Sequence, residues 1–259
     1  MMQGILLDLD GVLYVGDTAI DGAAEVLRWI EEQAIPHLFV TNTTSRPRLA
    51  IVEKLAGMGI EVDVGRILTP AVAARHWLQD HVKGPLALFV PQATREEFSS
   101  FPQSDDDAHA AAVILGDMGR DWNFETLNRA FRLLMQAPTP AFVALGMTRY
   151  WRTEQGLQLD AGPFVRALEY ATGLEATVLG KPAQAFYETA AAMLGISPPN
   201  LVMIGDDIQG DVRAAQASGM RAILVRTGKY TDVDLEQGIT PDAVLDSIVN
   251  LPDWWAQQD

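Results

Sequence analysis

The chain contains no cysteine. Disulfides, thiolate metal sites and cysteine nucleophiles are therefore excluded. Basic residues are few: 19 Lys and Arg stand against 34 Asp and Glu, a formal net charge of −15 over 259 residues. Such a chain offers little clustered positive surface to nucleic acid or anionic lipid, and neither is expected as a partner. An anionic small molecule stays admissible, because a bound divalent cation and a few local bases can reverse the field in one pocket. No stretch approaches the roughly 18 unbroken apolar residues of a membrane span, and the N-terminus has no basic segment followed by an apolar one. A cytoplasmic protein is expected. His37, His76, His81 and His109 are scattered at no metal-ligand spacing. Repeats and low-complexity segments are also lacking. What is present is a chain 48% apolar, enough for a substantial core in one large domain or two modest ones.

Strand-type apolar runs alternate with helical patterns, which predicts α/β architecture with a parallel sheet. Strands are expected over 4–9, 37–40, 67–68, 201–204 and 222–225, with a short one near 243–244. Helices are expected over 23–33, 47–58, 69–81, 185–194 and 211–218, and near 248–254. Thr69 reads as a helix cap with Pro70 in the first turn. From residue 82 to 176 the texture changes. Strands over 86–90, 111–115 and 141–145 and helices over 124–135 and 162–172 form a second α/β pattern. It includes an irregular polar stretch, 91–109, containing Asp105, Asp106 and Asp107. We expect a core built from 1–81 and 177–259, with 82–176 inserted as a second domain.

Four segments stand just beyond predicted strand ends, the edge at which open α/β sheets bind ligands. The first is Leu7-Asp8-Leu9-Asp10-Gly11. Alternation along a strand points Asp8 and Asp10 to one side. Two carboxylates repel there unless a cation or proton intervenes. One carboxylate can attack phosphorus, and a second can protonate the leaving oxygen and then activate water. Taken alone, Asp-x-Asp also suits a solvated turn or the metal site of a nucleotide-sugar transferase. The second segment, Thr41-Asn42-Thr43-Thr44, can hydrogen-bond phosphate oxygens or cap a helix. The third is Gly180-Lys181-Pro182, a stiff exposed turn whose ammonium can balance the carboxylates. The fourth, Gly205-Asp206-Asp207-Ile208-Gln209-Gly210-Asp211, supplies carboxylates where a strand turns into a helix. Mg2+ needs few protein carboxylates, so one or two of these with Asp8 suffice. Aspartates at a helix start also complement its dipole, and that reading is expected to account for part of Asp211.

This ordered set resembles the haloacid dehalogenase superfamily of phosphohydrolases. The resemblance implies a Rossmann-like core, with Asp8 as nucleophile and Asp10 as general acid and base. It implies Thr41 and Lys181 on the phosphoryl group, Asn42 beside them, and Mg2+ held by Asp8, Asp10 through its carbonyl, and Asp206, with Asp207 and Asp211 in support. An insert of this size resembles the C2-type cap of subfamily IIA. The segments 145–151, 159–164, 167–171, 203–211, 219–221 and 225–229 are similar to the phospholysine phosphohistidine inorganic pyrophosphate phosphatase group. Better-known C2 members carry a Thr-Asn-x-Asp-like cap segment where this chain has 146–150.

The resemblance implies a Mg2+-dependent phosphatase acting on a small phosphorylated substrate through an aspartyl phosphate, reaching also to P–N bonds or pyrophosphate. It also implies a homodimer joined through the cap. A phosphotransferase or mutase on the same fold, and a non-catalytic metal or phosphate sensor, are the alternatives. Arg149 is a candidate for a second phosphate with Tyr150 and Trp151 stacking on the leaving group. Those aromatics otherwise belong to the cap core. Arg226 and Lys229 either add positive potential near the site or lie on the surface. Trp254 and Trp255 are expected to pack on the core or on a partner subunit.

Overall fold

The computed structural model describes residues 2–104, 109–153 and 156–258, without the side chains of Arg152 and Thr153. The acidic run Asp105, Asp106 and Asp107 lies outside the described residues. The chain divides into two compact units.

The first unit comprises Met1–Thr41, Arg48–Leu68 and Lys181–Asp259. It holds a six-stranded, all-parallel sheet in the order Ala243–Leu245, Arg221–Val225, Leu201–Gly205, Gly4–Asp8, His37–Val40, Ile67–Leu68. Gly4–Asp8 and Leu201–Gly205 are buried at every position, as strands covered on both faces must be. Helix Ala23–Glu32 turns Val26, Leu27 and Ile30 inward, where they join Ile5, Leu7, Phe39, Ile204 and Ile223 in one core. Trp254 and Trp255 are partly buried against that core. From Gly4–Asp8 the chain goes to one side of the sheet for His37–Val40, and it later returns to the other side for Leu201–Gly205. The order therefore reverses between these two central strands, the point at which such sheets form a crevice at their carboxyl ends.

The second unit comprises Asn42–Pro47 and Thr69–Gly180. Its four parallel strands run in the order Thr177–Val178, Ala141–Ala144, Ala112–Leu115, Leu86–Phe89. Phe89, Val113, Leu115, Leu133, Phe142, Val165 and Leu168 form a separate core. The inserted unit is thus larger than 82–176. Helix Pro70–His81, capped by Thr69 Oγ1 on the Val72 amide at 3.3 Å, groups with it, as does strand Thr177–Val178.

Two antiparallel ribbons, Tyr14–Val15 with Thr18–Ala19 and Tyr150–Thr153 with Gly156–Leu159, are additions to the expected elements. Both are too short to show a period of two. Tyr150 and Trp151 lie on the second ribbon and are exposed, so they are not core of the inserted unit. The helix expected over 211–218 is instead a π-type turn, Ile208–Arg213, followed by Ala214–Ala217. No helix among the described residues is long and apolar enough to cross a membrane.

Ile5 is fully buried on the strand that both halves of the sheet flank. Ile5→Ala should lower the unfolding free energy by about 2–5 kcal/mol, read as a shifted urea midpoint at constant slope.

Candidate active site

Register places the functional groups. Asp8 ends its strand opposite Val40, so Thr41 leaves the neighbouring strand one residue further on. Leu7 pairs with Ile204, so Asp206 leaves the other neighbour at the corresponding level. Asp8, Thr41 and Asp206 are all buried at this edge, and the Thr41 amide donates to the Leu68 carbonyl at 3.1 Å.

Lys181 is buried rather than exposed. Its Nζ lies 2.9 Å from Asp8 Oδ1 and 2.7 Å from Asp211 Oδ1. Asp211 is thus part of the cluster itself, while Asp207 does the capping. The Asp207 carboxylate accepts from the Gln209 amide at 3.0 Å and the Gly210 amide at 2.8 Å. Asp211 Oδ2 also accepts from the Asp207 amide at 3.3 Å, so it serves the helix start in part, as expected, as well as the cluster. The π-type turn widens the helix start, and Asp211 donates its amide to the Asp207 carbonyl at 2.9 Å. Tyr187 Oη ties the same turn at the Gly210 carbonyl, 2.7 Å away. No local sequence signal marked the Lys181–Asp211 pair. A lysine between two predicted acidic edges was the one available hint.

Asp10 follows two residues after Asp8 but lies beyond the strand, so alternation does not govern it. It is exposed, and its side chain is outside the carboxylate cluster. Asn42 and Arg149 belong to the second unit. Arg149 sits 5.8 Å over the Tyr150 ring and lines a cavity of about 540 Å³ with Met147, Leu159, Pro163 and Arg166. Arg226 pairs with Asp246 at 2.8 Å on the surface.

The loop after strand Arg221–Val225 was only partly anticipated. The Lys229 amide donates to Asp206 Oδ2 at 2.6 Å, and its Nζ lies 3.9 Å from Asp207. Thr227 Oγ1 donates to the Gly11 carbonyl. Gly11 and Gly228 have φ of 88° and 67°, and a Cβ on either would collide with Asp206 Oδ2. Both positions therefore require glycine.

Asp8, Asp206 and Asp211 each offer an oxygen within 4.8 Å of the others. Against three carboxylates stands the buried Lys181, so negative charge is in excess. Burial pushes the Asp8 carboxyl above its usual range, Lys181 pulls it down, and Asp206 adds to the rise. Burial pushes Asp206 up to about 6 against the opposing Lys229 amide and charge. Asp211 also stands at about 6 through burial, with Lys181 opposing. Burial disfavours the Lys181 charge, but Asp211 and Asp8 outweigh it and hold its pKa well above the ordinary value. Asp206 Oδ1 is buried with no hydrogen-bond partner. Hard oxygen donors, excess negative charge and an unsatisfied carboxylate oxygen together fit a hard divalent cation.

Two family models match the chain. One, described as haloacid dehalogenase-like hydrolase, covers residues 5–101, and a second, described as HAD-hydrolase-like, covers 178–251. The human phospholysine phosphohistidine inorganic pyrophosphate phosphatase is 35% identical over 97% of this chain and 93% of its own length. The chain belongs to the haloacid dehalogenase-like hydrolases. A bovine member, haloacid dehalogenase-like hydrolase domain-containing protein 2, is 38% identical over 94% of this chain and 91% of its own. The structure of p-nitrophenyl phosphatase from Archaeoglobus fulgidus superposes with a TM-score of 0.88 at 28% identity, covering 98% of this chain and 99% of the other. Within the family this chain is a phosphatase-type hydrolase.

A carboxyl with a folded pKa near 6 and an unfolded value near 3.9 binds its proton more tightly in the fold. It therefore costs the cation-free protein stability as pH rises from about 4 through 6. In EDTA, Asp206→Asn should be more stable than wild type by about 1–2 kcal/mol at pH 7.5. The gap should close toward pH 4.5. Urea melts at the two pH values check this, and a pH-independent gap would refute the assignment.

Proposed function

We propose that the protein is a Mg2+-dependent phosphohydrolase working through an aspartyl phosphate on Asp8. The observation that carries this reading is Asp8 itself. It is buried at the carboxyl end of the central strand, 2.9 Å from the Lys181 ammonium, with Asp206 and Asp211 within cation-holding distance. Asp8, Asp206 and Asp211 are the side chains that would hold Mg2+, which when bound supplies positive charge against the phosphoryl oxygens.

Asp8 attacks phosphorus. A bond forms between its carboxylate oxygen and phosphorus as the bond to the leaving oxygen breaks, and Asp10 gives that oxygen its proton. Asp10, now ionised, takes a proton from water, whose oxygen displaces Asp8 from phosphorus. Phosphate leaves and both carboxyls return to their starting states. Asp10 is exposed, which suits a group that must exchange protons with water. Lys181 orients Asp8 and balances charge on the transferred group, while Thr41 binds its oxygens. Most of the rate gain is positioning and electrostatics.

Small phosphorylated molecules are the proposed substrates. The name of the human relative supports extending them to P–N bonds and pyrophosphate. A cytoplasmic homodimer joined through the second unit completes the proposal. Exposed Trp151, Leu157 and Leu159 support such a contact, and light scattering tests it.

Phosphate release from p-nitrophenyl phosphate, pyrophosphate and phospholysine should require Mg2+ and stop in EDTA. Asp8→Asn should lower turnover by about 10³-fold or more, and Asp10→Asn by about 10²–10⁴-fold, with melting temperatures near wild type. Substantial turnover by folded Asp8→Asn would exclude Asp8 as nucleophile.

A further inference from the structure

The two oxygens of Asp206 are treated differently by the fold. Oδ1 is buried and has no hydrogen-bond partner. Oδ2 accepts from the Lys229 amide at 2.6 Å. The same oxygen is walled by backbone, because the positions a Cβ would take on Gly11 and on Gly228 both fall on it. These walls come from loops after two different strands, Gly4–Asp8 and Arg221–Val225, and the Thr227 hydroxyl joins them at the Gly11 carbonyl. The turn 227–229 thus ties up one oxygen of Asp206 and leaves the other unsatisfied.

We infer that the Thr227-Gly228-Lys229 turn is a positioning element that confines Asp206 to one-oxygen coordination and so selects Mg2+ over Ca2+. The physical reason lies in the two ions. Mg2+ takes six ligands in a tight octahedron and accepts single carboxylate oxygens, whereas Ca2+ takes six to eight and commonly uses both oxygens of a carboxylate. For Asp206 to chelate through both oxygens, Oδ2 would have to leave the Lys229 amide and the crevice between the two glycines. The Lys229 amide would then be left unpaired in a crowded place, at the cost of any buried donor without a partner. Thr227 touches neither substrate nor cation. It holds the turn that holds Asp206, in the way that outer partners of metal ligands fix their orientation.

The inference rests on the Mg2+ reading above, and direct cation binding separates the two. Calorimetric titration of metal-free wild type with Mg2+ and with Ca2+ gives the affinity ratio without reference to turnover. Wild type should prefer Mg2+. Thr227→Val, which keeps the side chain's shape and removes the hydroxyl, should shift the ratio toward Ca2+ by about tenfold, and Thr227→Ser should keep the wild-type ratio. A purely structural role would lower the melting temperature of Thr227→Val and leave the ratio alone. That result overturns the inference while the Mg2+ reading stands. If wild type binds neither ion, the Mg2+ reading fails and the inference fails with it. Hydrogen exchange of the Lys229 amide in wild type needs no variant. Exchange should be slow without cation and stay slow with Mg2+ bound. Faster exchange on adding Mg2+ would mean that Oδ2 abandons the amide, and would overturn the inference.

Discussion

Lys181 Nζ lies 2.9 Å from Asp8 and 2.7 Å from Asp211, and all three groups are buried. A charge removed from water is tolerated only when it is paired and its remaining hydrogen-bonding capacity is met. Removal of the lysine would leave two carboxylates facing each other in a low dielectric, a loss of the kind that costs about 3–5 kcal/mol. The rest of the edge is arranged around this contact. The central strand delivers Asp8, the π-type turn delivers Asp211, and Asp207 and Tyr187 fix that turn at its amides and at its Gly210 carbonyl. Asp206 then adds a third carboxylate, and its negative charge creates the demand for a cation.

Under the proposed mechanism the two carboxyls of Asp-x-Asp divide the labour by environment. Asp8 is buried and pinned by Lys181, so it keeps one orientation toward phosphorus. Asp10 is exposed two residues later, past the end of the strand, where it can trade protons with water. Pairs of carboxyls placed in such different surroundings commonly take separate roles in one reaction. The separation follows from strand geometry. The chain leaves the sheet after Asp8, and Gly11, with φ of 88°, turns it away.

Much of this was legible from the residues. His37–Val40 and Ile67–Leu68 coincide with the expected strands, and Thr69 caps its helix as its side chain and Pro70 predict. Unbroken apolar runs ended by glycine or a polar group mark buried parallel strands, and this protein has several. Asp8, Lys181 and Asp206 were legible because each follows such a run or sits at a glycine-proline turn. Other features depend on contacts that no local pattern encodes. Lys181 stands on a turn that reads as surface, yet it is buried by Asp8 and Asp211, far from it in sequence. Asp211 reaches into the cluster because a π-type turn adds a residue to the helical spacing, and hydrophobic periodicity does not register that. Tyr150 and Trp151 are large and aromatic, which suggests core, but they point to opposite faces of a two-stranded ribbon and both are exposed.

The Asp8–Lys181 pair also fixes when the site can exist. During synthesis Asp8 is made well before Lys181, the first residue after the second unit closes at Gly180. Until then the central strand lacks its Leu201–Gly205 partner and its acid has no counter-ion. Contacts this distant in sequence form late and slow folding. A chain released early would hold a strand with an open edge and no place for a cation. The carboxylate cluster therefore assembles only after the second unit has been made and residues 181–211 have followed it.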